Sequence, residues 1–230
     1  MSRITARCHP KLRAMLPPPV PAQKLLPGWL RTMPEEVAAD SLAGAPVRTL
    51  KHCPPLIDAL RLGIIIPSAA DITVTAGEIA WDWDPPSLAE THISRAPVGI
   101  HIPEQAEGSA FDPGGALVLK FVNFWTLEAE PGWSLLFHHP AGYPDLPFRT
   151  LGGVVDCDLF KDGYVHFPTL LDPDFEGVIP RGTPVAQVVP VQRNVALELA
   201  EMDAEEIERN ADLQVALGKE GGVYRKSYRR

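Results

Sequence analysis

The chain has 230 residues, 45% of them hydrophobic and 22% charged, with a formal charge of −8; this is the balance of a globular protein with room for a sizeable core. The acidic excess disfavours general binding to nucleic-acid backbones, which takes a positive surface to release counterions. No apolar run approaches the roughly 20 residues needed to cross a bilayer, and the N-terminus lacks the apolar core of a secretory signal, so the expectation is a cytoplasmic protein without a membrane.

Twenty-five prolines punctuate the chain at short intervals and exclude long helices from most of it. Residues 1–50 read as a proline-rich arm, in which "LPPPVPAQKLLPGWLRTMPEEV" offers polyproline II spacing with apolar anchors at Leu25, Leu26, Trp29 and Leu30. "CPPLIDALRLG" predicts a short helix with Leu56, Ile57 and Leu60 on one face and Gly63 as its stop. Three cysteines, Cys8, Cys53 and Cys157, have no C-x-x-C pairing and read as free thiols rather than a disulfide framework or a zinc site.

From Ile64 to Arg193 the pattern becomes strand-like: "IIIPSAADITV", "EIAWDWD", "VGIHI", "ALVLKFVNFWTLE", "WSLLFHH", "GGVVDCDLF", "YVHFPTLL", "FEGVIP" and "PVAQVVPV" are parted by turn residues. Residues 51–193 are therefore expected to form one mainly β domain, a sandwich, jelly roll or related barrel. Alternation in "WDWD" sets Trp81 and Trp83 on one face and Asp82 and Asp84 on the other. After Arg193, "NVALELAEMDAEEIERNADLQVAL" loses proline and gains helix formers up to Gly218, so residues 194–230 are expected to be a C-terminal helix and the basic tail "YRKSYRR".

Four segments in order carry a family resemblance. "PSAADITV", "PGWSLLFHHPAG", "LGGVVDCDLFKDG" and "FEGVIPRGTPVAQVVPV" resemble the motif series of the dUTPase and dCTP deaminase superfamily over residues 64–193. The resemblance implies a compact, distorted β-barrel of the β-clip or jelly-roll-like kind, working as a homotrimer. It implies that Asp156 addresses a deoxyribose and orients the attacking water, that Asp71 is the acid of the first motif, and that Gln187 is the glutamine of the closing strand. Asp158 and Phe160 follow Asp156 as further ligand contacts, Phe160 beside the place of the family's sugar-packing tyrosine. Where that family carries an arginine and a serine to hold phosphates, this chain reads Phe137, His138, His139, Pro140, Ala141, Gly142. The expected activity is thus binding of a small anionic or heterocyclic ligand, a nucleotide first, with His138 and His139 among its contacts, and with hydrolysis if Mg2+ and the basic tail replace the missing phosphate contacts. Nearly the whole chain also resembles a protein family of tailed phages and bacteria, through "TLKHCPPLIDAL", "KFVNFWTLEAEPGWSLLF" and "LPFRTLGGVVD", and that resemblance implies no activity.

Two other readings compete. His101, His139 and His166 fall on different predicted strands, and two imidazoles with a carboxylate such as Glu104 or Asp156 would make a non-haem Fe2+ site of a cupin-like oxygenase. His138 and His139 alternate, so only one of them can serve a given face. The third reading is a non-catalytic assembly or adaptor protein that uses the fold to oligomerise. No P-loop, dinucleotide fingerprint or Ser-His-Asp order is present.

Overall fold

The computed structural model describes residues 3–86, 94–112 and 118–229. The chain divides into two compact units, Met1–Arg193 and Asn194–Arg230. The protein is mainly β, with a helix near the C-terminus.

The proline-rich residues 1–50 lie within the first unit as short strands and turns. β1 (Thr5–Arg7) pairs antiparallel with a strand over Thr126–Glu128, and the chain then buries Leu12 and Leu16 against Phe124 and Trp125. The Trp125 indole N–H donates to the Pro17 carbonyl at 3.2 Å. β2 (Val20–Pro21) adds to a sheet edge, and a single helical turn, α1 (Gly28–Thr32), presents Leu30 to the core. A hairpin follows, β3 (Glu36–Ala39) and β4 (Ala45–Arg48), turned by left-handed backbone at Ala43 and Gly44.

The expected short helix is α2 (Pro54–Arg61). Two prolines open it, where their missing N–H groups cost nothing, and Ile57 and Leu60 are its buried face. Gly63 ends the segment at φ +72°, and a Cβ there would sit 1.9 Å from the Val188 carbonyl oxygen. Only glycine satisfies both conditions.

The run from Ile64 splits into β5 (Ile64–Pro67) and β6 (Asp71–Thr75), because Pro67 removes a ladder donor and the buried Ser68 hydroxyl donates to the Ala70 carbonyl at 2.8 Å. β7 (Glu78–Asp82) returns against β6. It stops before Trp83, so the two tryptophans do not share a face as the alternation predicts: Trp81 is 41% exposed, and Trp83 packs edge-on against Phe124 at 4.7 Å. Next come β8 (Val98–His101), β9 (Val118–Phe121), β10 (Thr126–Glu128), β11 (Trp133–His138), β12 (Phe148–Thr150), β13 (Gly153–Val155), β14 (Phe167–Leu171), β15 (Gly177–Ile179) and β16 (Pro184–Gln192).

Among the described residues these strands form five sheets, and no ladder closes them into a barrel. The largest runs β13-β11-β16-β5-β2 and faces the sheet β12-β14-β9-β8. Phe137 of β11 meets Phe167 of β14 with ring centroids 5.6 Å apart, and Leu119, Phe121, Leu135, Phe148 and Val188 complete the layer between them. A third sheet, β15-β6-β7, adds Ile72, Val74 and Ile179 to the same core.

In the second unit, α3 (Ala204–Lys219) starts later than the loss of proline suggests. The Asp203 carboxylate accepts the Glu206 N–H at 2.8 Å and Glu206 accepts the Asp203 N–H at 3.0 Å, a reciprocal cap that fixes the start. Gly218 lies inside the last turn instead of ending the helix. A short α4 (Val223–Ser227) follows Gly222, whose φ is +81°. Among the described residues no helix is long and apolar enough to cross a membrane.

Candidate functional site

The carboxylates after β13 are held by other groups of the same unit. β13 pairs with β11 with Val155 opposite Leu135, which brings Asp156 to the level of Ser134. The buried Ser134 hydroxyl donates to Asp156 Oδ1 at 2.5 Å, and the Arg193 guanidinium lies 3.2 Å from Oδ2. Asp158 binds the same guanidinium through Oδ2, which also accepts the Gly132 N–H at 2.9 Å. That N–H is the main cause holding the Asp158 carboxyl below the usual carboxylate range; desolvation opposes it and Arg193 assists it. Between the two acids Cys157 is fully buried, and burial, helped by both neighbouring carboxylates, pushes its thiol up to about 11. Phe160 is half exposed, its ring folded over Gly163. The hairpin tip is therefore an ion cluster of two carboxylates on one guanidinium, with Asp156 51% exposed at its edge.

Gln187 is 1% exposed and has every hydrogen-bonding group in use. Its Oε1 accepts the Ala141 N–H at 2.9 Å, and its Nε2 donates to the Ala59 and Leu62 carbonyls at 2.9 and 2.7 Å. The side chain ties β16 to the end of α2 and to the loop after β11. Gln187 stands opposite His138 in the ladder, four residues along β11 from Ser134, so it is roughly 14 Å along the sheet from Asp156. Asp71 lies in the third sheet, where Oδ1 accepts the Arg181 N–H at 2.6 Å. These three residues do not meet in one cleft within the chain.

The loop "HHPAGYPDLP" is instead pinned from four directions. The Trp29 indole N–H donates to the Gly142 carbonyl at 2.7 Å, and the Tyr143 hydroxyl donates to the Leu25 carbonyl at 2.9 Å. Gly142, at φ +79°, leaves no room for a Cβ, which would be 2.5 Å from a Leu60 methyl. His139 Nδ1 accepts the Thr150 N–H at 3.3 Å, so the ring proton sits on Nε2, which donates to the Tyr143 carbonyl at 3.0 Å. His138 Nδ1 donates to the His139 carbonyl at 2.7 Å. Leu25 and Trp29, two of the apolar anchors in the first 50 residues, thus hold this loop in place.

Beside the loop a cleft of about 560 Å³ opens along the edge strand β12. Leu146, Phe148, Leu170 and Leu171 give it an apolar floor, His139 stands at one end, and Arg149 and Asp172 are exposed at its rim. The Arg149 side chain has no hydrogen bond or ion pair among the described residues. The Asp172 carboxylate accepts the Asp174 N–H at 3.0 Å. A rigid apolar slot with one uncommitted cation can take a small molecule with a flat body and an anionic group.

The histidines are dispersed. His101 Nδ1 faces Gln105 Oε1 at 3.1 Å near the end of β8, His166 Nδ1 accepts the Asn123 N–H at 3.1 Å, and both His139 nitrogens are used by backbone groups. Burial, with Lys120 adding, holds the His166 imidazole below its ordinary value. Among the described residues no three His, Cys, Asp or Glu side chains come together to share a metal ion. His101, His139 and His166 are not brought together as an iron set, and Asp156 and Asp158 share the Arg193 guanidinium.

Sequence reasoning passes over Arg149, Arg193 and Ser134. Ser134 and Arg193 were legible only through the register that sets them beside Asp156. Arg149 had a local signal, a lone cation in "LPFRTLGG", but its significance depends on the floor supplied by β14. No protein-family model matches the chain, and no curated protein matches its sequence.

Proposed function

We propose that the protein binds a small anionic ligand with a flat apolar or heterocyclic part, a nucleotide being the class that fits, in the cleft between His139 and Arg149 on a dUTPase-like scaffold. The observation that carries this reading is the unpartnered Arg149 at the rim of an apolar cleft beside a pinned loop. That loop occupies the sequence place where the resembling family holds phosphates, and Arg149 would provide the cation that the loop itself lacks. A base would lie on Pro144, Leu146 and Leu170, the accessible apolar residues of the cleft; phosphate oxygens would meet the guanidinium as a bidentate acceptor.

The proposed function is binding and not turnover. Asp156 would be the base that activates water, yet both its oxygens already face Ser134 and Arg193, and it follows β13, which belongs to a different sheet from the β12 edge that bears the cleft.

Titration of the full chain with deoxynucleoside mono- and triphosphates and with inorganic phosphate, with and without Mg2+, tests the reading by calorimetry and thermal shift. At least one nucleotide is expected to raise the melting temperature, and Arg149→Ala to weaken that ligand by ten-fold or more without altering the unliganded melt. No shift with any nucleotide at millimolar concentration overturns it.

A further inference from the structure

Residues 194–230 bury none of their apolar side chains. Val195, Leu197 and Leu199 are 85–90% exposed, and Ile207 and Val215 on α3 are more than half exposed. The first three alternate in sequence through a segment that is neither helix nor strand, and among the described residues 195–202 make no backbone hydrogen bond. Below about 40 residues a chain closes a stable core only with disulfides, a metal or association. All three cysteines lie outside this unit, and no metal-ligand cluster stands in it among the described residues. Packing against a surface outside the unit is what remains.

The charge pattern identifies the partner. From Glu198 to Asp212 there are seven acids and one base, a balance of 1 − 7 = −6; from Leu213 to Arg230 there are five bases and one acid, 5 − 1 = +4. Such a unit is complementary to itself when two copies run antiparallel, and self-repelling when they run parallel. We infer that residues 194–230 are a self-association unit: two copies pair antiparallel about a two-fold axis, acidic half against basic half, and bury Val195, Leu197, Leu199 and the apolar residues of α3 between them.

Sedimentation of the full chain at concentrations up to about 100 µM, well above a micromolar dissociation constant, is the test. The wild type is expected to contain an even number of copies, to weaken with salt, and to halve in mass when Val195→Ser, Leu197→Ser and Leu199→Ser are combined, with the melting of the first unit unchanged. Arg225→Glu with Lys226→Glu is expected to lose association alone and to regain it when mixed with a chain carrying Glu208→Lys and Asp212→Lys. A monomeric wild type, which is also the outcome if another protein is the partner, overturns the inference. So does a triple variant that keeps its mass. Failure of the mixed charge variants to associate overturns the antiparallel arrangement.

Discussion

Gln187 and Ala141, 46 residues apart, are joined by a 2.9 Å hydrogen bond that couples the closing strand to the loop at the cleft. Replacing Gln187 by leucine would leave the Ala141 N–H and the Leu62 carbonyl unsatisfied in the interior. The expected cost is about 3 kcal/mol, read as a drop of roughly 6–12 °C in the melting of the first unit. A ligand-contacting glutamine would show the reverse pattern, normal melting with lost binding.

Gly63→Ala is expected to be more damaging than any exposed glycine substitution. The new methyl meets backbone rather than a movable side chain, on left-handed backbone, so about 3 kcal/mol or more should be lost in denaturant unfolding. Gly44→Ala, also at positive φ but with open space around it, is the control and should cost less.

Asp158 makes acid stability measurable at one residue. Its folded carboxyl titrates below the unfolded value of about 4, so the stability it contributes is complete above that value and is lost as pH falls through the folded one. Denaturant midpoints for wild type and Asp158→Asn should differ by a constant amount above about pH 5 and converge at the acid end. A gap that stays the same at all pH values would show that the charge of Asp158 adds nothing.

Thiol labelling should separate the three cysteines by burial. With its thiol pushed up to about 11, Cys157 is almost wholly protonated at pH 8 and sealed from reagent, and is expected to react only on unfolding. Cys53 and Cys8 are partly exposed and should label in the native protein, Cys8 the slower because burial raises its thiol. Rapid native labelling of Cys157 would mean that the β13 hairpin opens locally.

The parts of the fold that local chemistry decides were legible in the chain. α2 is announced by Pro54 and Pro55 at its start and Gly63 at its end, and strands such as β14 by alternation with buried Phe167, Thr169 and Leu171. The late start of α3 was also written locally, in the Asp203–Glu206 spacing, but the helix formers upstream of it point the other way. The candidate site was not legible to the same degree. The role of Gln187 depends on carbonyls of Ala59 and Leu62 more than 120 residues away, and Asp156 differs from a free carboxylate only because Ser134 arrives from β11 and Arg193 from the residue after β16. Local sequence names the donors and acceptors; long-range register decides which are spent.

β16 is both the final strand of the first unit and an inner member of its largest sheet, paired with β11 on one side and β5 on the other. Ile64 of β5 and Val188 of β16 are 188 − 64 = 124 residues apart. At a synthesis rate of about 5–20 residues per second, β5 leaves the ribosome roughly 6–25 s before its partner exists. In that interval β5 can pair with the earlier β2, but Ile65 and Ile66, only 2% exposed in the finished structure, still lack the β16 side of their burial. The largest sheet can therefore join its β13-β11 and β5-β2 halves only once β16 has been made.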